Sequence, residues 1–141
     1  MQKYDIRLCS GKPLRFCGRC HAAADDGHYE RLKRRLRQAE GAPEKTVEVK
    51  GRSYAVYEAD NGKWFLVTTY QTAIGYPDRP AELRPDAPSD FEHYNSEHEV
   101  LEEIRDRMSE DPSCPFNNLL TSWGRDDLRE HWIREGYGRQ S

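Results

Sequence analysis

The 141-residue sequence has no run approaching the roughly 18 consecutive apolar residues that a membrane-spanning helix needs. Its first 16 residues, MQKYDIRLCSGKPLRF, also lack the apolar segment of a secretory signal peptide. These two absences predict a cytoplasmic protein that has no membrane partner. Because thiols stay reduced in the cytoplasm, closely spaced cysteines there indicate metal binding or catalysis more than structural disulfides.

Motifs that identify a reaction are also missing. The sequence contains no Walker A motif, no GxGxxG, no GxSxG and no HExxH. His93 and His98 lie among carboxylates in FEHYNSEHE, but the start of a helix explains those carboxylates without catalysis. The sequence therefore favours a non-enzymatic protein, and an enzyme whose site no motif reveals ranks third among the functions considered.

The composition is that of a folded chain with an uneven charge. Aromatic residues make up 11% of the sequence, hydrophobic residues 35% and charged residues 33%, which fits a small globular protein rather than a disordered one. Residues 1–50 carry 12 Lys and Arg against 7 Asp and Glu, whereas residues 51–141 carry 10 against 18. We expect residues 1–43 and 44–141 to be two parts of one compact unit, with faces that suit different partners.

The predicted fold class is α+β, built on a small three-stranded antiparallel meander with packed helices. Three segments rich in β-branched and aromatic residues predict its strands. They are TVEVK (46–50), SYAVYE (53–58) and KWFLVTTY (63–70). Gly51 marks the first turn. Asn61-Gly62 marks the second, because this pair suits a two-residue type I′ turn in which both residues have positive φ.

Helices are predicted after a proline-rich loop over residues 76–88. Ser96 and Glu99 form a capping box that opens a helix to about Glu110. The apolar residues that recur at helical spacing and predict its buried side are Val100, Leu101, Ile104 and Met108. Two short helices, broken at Gly124, complete the chain.

Cys17 and Cys20, in the run LRFCGRCH, have the spacing of a zinc knuckle. A hairpin of residues 3–9 and 14–17 would bring Cys9 toward them, and a helix that starts at Asp25 or Asp26 and continues to about Glu40 would add a histidine. The predicted zinc ligands are Cys9, Cys17, Cys20 and His28. His21 and Cys114 are the alternatives to His28 as the fourth ligand.

The same CxxCH stretch matches two other uses of paired cysteines. A c-type haem is attached through such a motif, but the sequence has no visible export signal and its flank, AAADDGHYERLKRRLRQ, is too polar to surround a porphyrin. A thioredoxin-like dithiol needs a βαβ setting, which this region does not predict. Zinc is therefore the favoured cofactor.

The helix predicted to follow the cysteines is basic over residues 29–38. Cations on one helix can track a phosphate backbone. They are Arg31, Lys33, Arg34, Arg35 and Arg37. Binding of DNA or RNA through this helix is the alternative function, and the overall pI of about 6.0 argues against it.

Residues 91–111 have the opposite charge, with eight acidic residues against Arg105 and Arg107. An acidic helix face of this kind can dock on a basic protein, and Tyr76 would add an aromatic contact from the proline-rich loop. The leading prediction is therefore a binding or regulatory module, such as an inhibitor, that contacts another protein. The predicted partner-binding residues are Tyr76, Glu99, Glu102, Glu103 and Asp106.

Overall fold

The computed structural model of the protein describes residues 2–25, 44–80, 82–84, 88–110 and 115–137. This part of the chain forms one six-stranded antiparallel sheet followed by three helices. The strands are β1 (Gln2–Arg7), β2 (Pro13–Asp25), β3 (Val47–Ala59), β4 (Trp64–Gly75), β5 (Glu82–Arg84) and β6 (Ser89–Tyr94). The helices are α1 (Glu97–Glu110), α2 (Phe116–Ser122) and α3 (Asp126–Arg134). None of these three helices is long and apolar enough to cross a membrane.

The sheet follows chain order from β1 to β4, and both β5 and β6 pair with β4. β6 pairs with the first half of β4, and β5 pairs with its second half. Leu8 also forms a parallel bridge to Ser89, and the N–H of Cys9 donates a hydrogen bond to the carbonyl of Ser89 at 2.8 Å. The end of β1 therefore meets the start of β6, which requires the sheet to curl.

The prediction of a three-stranded meander was wrong, although the α+β class holds in outline. The first two predicted strands are one strand, because β3 continues through Gly51, which pairs with Gln71 in the ladder. A glycine inside a strand marks a turn only when the backbone reverses there. The predicted β3–β4 hairpin is therefore the centre of a larger sheet that β1, β2, β5 and β6 extend on both sides.

β2 replaces the predicted knuckle and includes Asp25, one of the two predicted helix starts, whereas the other, Asp26, lies outside the described residues. It runs without a turn to Asp25, and its second half pairs with β3. Three consecutive alanines favour a helix by propensity, but pairing and packing override propensity in a sheet. Small side chains also let α2 lie close to this strand, where the N–H of Ala23 donates to the Oγ of Ser122 at 3.1 Å.

The predicted loop over residues 76–88 contains a short strand. β5 occupies three of its residues and pairs with β4 around Ala73. β6 begins directly after the loop, at Ser89, and its sequence SDFEHY has no clear alternation of apolar and polar residues. Both strands lie at the edge of the sheet, where proline and polar side chains are tolerated, so local composition concealed them.

The β1–β2 and β3–β4 hairpins turn in the same way. The N–H of Gly62 donates to the carbonyl of Ala59, and the N–H of Ala59 donates to the carbonyl of Lys63. Leu8, Gly11 and Lys12 repeat this pattern in the β1–β2 turn. Each loop has three residues and ends in a glycine with φ of +86°. The predicted position of the β3–β4 turn was right, but its type I′ geometry was wrong, because only Gly62 has positive φ.

The three helices cover one face of the sheet, as the sequence predicted for the chain after residue 95. Strand residues and helix residues form a single buried cluster on this face. The strands contribute Ala22, Tyr54, Val56, Trp64 and Leu66, and the helices contribute Val100, Leu101, Ile104, Met108, Phe116, Leu119, Leu120 and Trp132. We call this cluster the helix-side core.

The other face carries a cluster of aromatic rings, which we call the aromatic face and define by Tyr4, Phe16, Tyr57, Phe65 and Phe91. The rings of Tyr4 and Tyr57 lie 4.8 Å apart, and those of Phe16 and Phe65 lie 5.0 Å apart. Each of these two pairs joins strands that are separated by an intervening strand, which in a flat sheet lie about 9.5 Å apart. The sheet therefore curls around the aromatic face.

Candidate functional site

The acidic helix α1 packs its apolar side against the sheet. The four apolar residues predicted to be buried are at most 9% exposed, which confirms that prediction: Val100, Leu101, Ile104 and Met108. A helix that buries one side turns the other side toward solvent. Among the described side chains of α1, the exposed acidic residues are Glu99, Glu102 and Asp106, and we call these three the acidic surface.

Ser96 caps α1 as predicted, but the returning bond of the capping box goes to Asn95, one residue before the cap, instead of to Ser96. The N–H of Glu99 donates to the Oγ of Ser96 at 3.3 Å, and the N–H of Asn95 donates to the Oε2 of Glu99 at 2.8 Å. The Glu99 carboxylate thus stabilises the start of the helix in addition to contributing charge. Replacement of Glu99 would therefore change the stability of the helix together with the surface.

Glu102 and Asp106 have only exposed, local partners in the described chain. The Nε2 of His98 lies 2.9 Å from the Oε1 of Glu102, with these side chains 81% and 50% exposed. The Nε of Arg105 lies 3.9 Å from the Oδ1 of Asp106, which is 62% exposed. Exposed ion pairs contribute at most about 1 kcal/mol, so either carboxylate can exchange its neighbour for a cation of a binding partner.

Glu103 has a different role from its neighbours on α1. Its Oε1 accepts a hydrogen bond from the Nε of Arg107 at 2.8 Å, and Arg107 also binds Glu92 of β6. Desolvation opposes ionisation of Glu92, but hydrogen bonds from Tyr94 and Arg107 outweigh it and place the pKa of Glu92 below its ordinary value. Glu103 therefore belongs to a network that fixes α1 on the sheet.

Tyr76 lies away from the acidic surface. Its hydroxyl donates to the Oε2 of Glu82 at 2.8 Å, and the guanidinium of Arg79 lies 3.8 Å from the centre of its ring. Tyr76 follows the end of β4, whereas α1 begins near the start of β4 at Trp64. Since a strand rises about 3.3 Å per residue, the two ends of β4 are roughly 36 Å apart. Tyr76 and the start of α1 therefore lie at opposite ends of the sheet.

The predicted zinc ligands on β2 are not brought together. Cys17 pairs with Lys3 of β1, and Cys20 pairs with Tyr57 of β3. Residues three apart in a strand point to opposite faces and are about 10 Å apart. Cys9 lies in the β1–β2 turn, where partial desolvation and the neighbouring Asp90 carboxylate raise the pKa of its thiol. β2 therefore places Cys17 and Cys20 on opposite faces of the sheet.

No group of three or more His, Cys, Asp or Glu side chains suited to a metal ion occurs in the part of the chain that the structure describes. His28 and Cys114 lie outside the described residues. So does the predicted basic helix, with Arg31, Lys33, Arg34, Arg35 and Arg37. Zinc binding and nucleic-acid binding through that helix stay predictions.

His21 has a partner that the sequence did not indicate. Its Nε2 lies 3.0 Å from the Oε1 of Glu58, which also accepts a hydrogen bond from the Nε of Arg19 at 3.0 Å. The imidazole stacks on Trp64 with ring centres 4.7 Å apart, and the ring of Trp123 lies 5.8 Å away. The hydrogen bond to His21 is the largest of the effects that lower the pKa of Glu58 from its ordinary value of 4.5.

This His21–Glu58 pair was hidden because its members are 37 residues apart. Arg19 lies directly opposite Glu58, and alternation along β2 places His21 on the same face. A bulge between Cys20 and Ala22 then turns Ala22 to this face as well. The tryptophan rings pack directly on the imidazole, so the pair closes the edge of the helix-side core. The strand pattern SYAVYE of β3 was the available signal, since it turns Glu58 to the same face as the buried Val56.

No family model matches the sequence, and no curated protein or solved structure is significantly similar to it. The function is therefore inferred from the geometry and the charge of the molecule itself. Of the predicted partner-binding residues, the structure brings together Glu99, Glu102 and Asp106 on one exposed side of one helix.

Proposed function

We propose that the protein is a non-enzymatic binding module that contacts a basic surface of another protein through the acidic surface of α1. The observation that carries this proposal is the burial of the helix. Because Ile104 and Met108 are both 0% exposed, the orientation of α1 is fixed. Three carboxylates on its opposite side are then held at defined positions toward solvent.

Charge around the acidic surface supports the same proposal. Residues 51–141, which include α1, carry 18 acidic residues against 10 basic ones. Arg107 is only 21% exposed and is occupied by Glu92 and Glu103, which leaves it little capacity to neutralise the outer carboxylates. A negative surface of this kind accelerates encounter with a positively charged partner.

The proposed interface is narrower than the set of residues expected from the sequence. Glu103 is excluded because Arg107 binds it on the sheet side of the helix. Tyr76 is excluded because it lies beyond the other end of β4. The proposed contact residues are therefore Glu99, Glu102 and Asp106. A regulatory role in the cytoplasm, where the partner would be masked by this contact, is part of the proposal.

Charge reversal at two positions tests the proposal. Glu102→Lys combined with Asp106→Lys reverses the acidic surface and leaves the cap at Glu99 intact. The partner is first identified by cross-linking and affinity capture from the native host, and it is then purified. We expect the association rate with this partner, measured by stopped flow at low ionic strength, to fall about tenfold or more, and its dependence on salt to flatten.

The matched control is Asp60→Lys combined with Asp78→Lys. These two exposed carboxylates lie outside the helices, and the double substitution changes the net charge by the same amount. At the same low ionic strength, the control should slow association much less than the double substitution on α1, and circular dichroism should show all three proteins folded. Equal association rates for the two double variants would contradict the proposal, since only total charge would then matter.

A further inference from the structure

β1 is an edge strand of the sheet, and its outer edge is a candidate surface for pairing with another chain. Among the described residues, β1 pairs along its length with β2 alone and forms one end of the sheet. An edge strand presents unpaired backbone donors and acceptors, which form a template for a further strand. Proteins block such edges with charged side chains, prolines or bulges. β1, QKYDIR, has no proline, and the charges that it carries alternate in sign, so they repel a strand of mismatched charge and can pair with one of complementary charge.

Side chains of β1 divide cleanly between the two faces of the sheet. Tyr4 belongs to the aromatic face, where its ring stacks with Phe16. Lys3 and Asp5 flank Tyr4 in the strand and therefore point to the other face, and both are exposed. The three residues thus present a cation, an aromatic ring and an anion in sequence along the outer edge of β1, which among the described residues is bridged to β6 only from Leu8 onward.

We propose that β1 pairs antiparallel with β1 of a second copy of the chain, across a two-fold axis at Tyr4. A two-fold axis perpendicular to the sheet keeps the aromatic faces of both copies on the same side. The axis must then pass beside one residue of β1, which lies opposite the same residue of the second copy. Centred on Tyr4, this register places Lys3 opposite Asp5 of the second copy, and Asp5 opposite Lys3. It also brings the two Tyr4 rings together as a directly opposed aromatic pair.

Neighbouring registers are less favourable for electrostatic reasons. A centre at Lys3 opposes two lysines, and a centre at Asp5 opposes two aspartates and also sets Lys3 against Arg7. Like charges directly opposite each other destabilise a strand pair. A centre at Ile6 opposes Asp5 and Arg7 favourably, but it uses only the last three residues of the strand. The Tyr4 register alone joins opposite charges over Gln2–Ile6.

The surface beside Tyr4 is concave and carries a second pair of opposite charges. A concavity of about 510 Å³ is lined by the consecutive cross-strand pairs of β1 and β2: Lys3, Tyr4, Asp5, Arg15, Phe16 and Cys17. Asp5 already lies 3.3 Å from the Nε of Arg15, but these side chains are 63% and 72% exposed. Such a pair is weak, so Asp5 can also receive Lys3 of the second copy.

Two single charge reversals and their mixture test this pairing. Lys3→Asp makes β1 acidic at positions 3 and 5, and Asp5→Lys makes it basic at the same two positions. Because each substitution occurs twice across the two-fold axis, we expect the dissociation constant of the homodimer to rise by about tenfold or more in each variant, measured by sedimentation velocity over a concentration series. An equimolar mixture of the two variants should associate again, because the acidic β1 of one variant then faces the basic β1 of the other at both positions.

Recovery in the mixture distinguishes this register from a general loss of folding, since misfolded chains would not regain affinity for each other. Arg7→Asp is the matched control, because Arg7 lies outside the Tyr4 register and should leave the dissociation constant unchanged. A wild-type protein that remains monomeric at every concentration would overturn the proposal. So would a dimer whose dissociation constant is unchanged by Lys3→Asp and Asp5→Lys, or one weakened by Arg7→Asp alone.

Discussion

The two faces of the sheet differ in how completely they are covered. On the helix-side core, Leu66, Ile104, Leu119 and Leu120 are at most 1% exposed. On the aromatic face, only Phe65 is nearly buried, at 7%, while Tyr4, Phe16, Tyr57 and Phe91 are partly exposed. Helices exclude solvent from one face, whereas the other is protected by its own curvature and by large rings.

This difference indicates where stability and binding reside. Burial of apolar area is the main favourable contribution to folding, so the helix-side core should dominate the free energy of unfolding. Partly exposed aromatic rings contribute less to stability, and they are suited to contact with other chains. The proposed self-pairing at Tyr4 extends the aromatic face, and the proposed partner contact uses the solvent side of the helices.

Truncation of a buried side chain should lower the free energy of unfolding more on the helix side of the sheet than on the aromatic face, and this is the largest effect that we predict. Leu120→Ala removes a fully buried side chain of the helix-side core and should lower the free energy of unfolding by about 2–5 kcal/mol. Phe16→Ala on the aromatic face should cost less, about 1–3 kcal/mol, because its ring is already partly in water. Urea denaturation measures both values, and a larger loss for Phe16→Ala would reverse the ranking of the two faces.

Gly18→Ala should break the curl that forms the aromatic face. An added Cβ would lie 2.0 Å from the carbonyl oxygen of Glu58, so β2 and β3 would have to separate. We expect a loss of about 3 kcal/mol in the free energy of unfolding, as for severe overpacking. Gly62→Ala is the control, since its added Cβ meets no atom within 4 Å.

The control should cost only about 1–2 kcal/mol, because alanine at positive φ is strained but meets no clash. Near-ultraviolet circular dichroism should also report a change in the tyrosine environment for Gly18→Ala and not for Gly62→Ala. Equal losses of stability, with no change in that spectrum for Gly18→Ala, would show that β2 can accept a side chain at this position.

The carboxylate of Glu58, at the edge of the helix-side core, should make a smaller contribution to stability, and this contribution should depend on pH. The pKa of Glu58 is lowered in the folded state, first by the hydrogen bond to His21. Its contribution to stability is therefore present above its unfolded pKa, near 4.5, and is lost as pH falls through that value toward the folded pKa. Glu58→Gln should make the melting temperature fall less steeply than in wild type between about pH 5 and pH 3.

Glu130→Gln is the matched control for Glu58→Gln. It removes one carboxylate from an exposed position on α3, and its melting temperature should follow the wild-type dependence on pH. If the two variants show the same pH dependence, the interaction between His21 and Glu58 does not stabilise the folded state.

The helices of the described chain were predictable because their signals are local. The capping residues Ser96 and Glu99, the apolar spacing of α1 and the break at Gly124 all act within a few residues of one another. The breadth of the sheet was not predictable in this way. β2 and β6 have little intrinsic preference for strand, and pairing with distant segments gives them that conformation.

The features of the candidate site can also be divided into those that local sequence determines and those that depend on tertiary contacts. The sequence by itself determined that α1 has an apolar side and an acidic side, and that a turn occurs at Asn61-Gly62, because helix periodicity and glycine conformation are properties of short segments. Only the tertiary structure decided that Glu103 is bound by Arg107, that Cys17 and Cys20 face apart, and that His21 meets Glu58. Those outcomes depend on strand register and on contacts between distant residues, which no local pattern specifies.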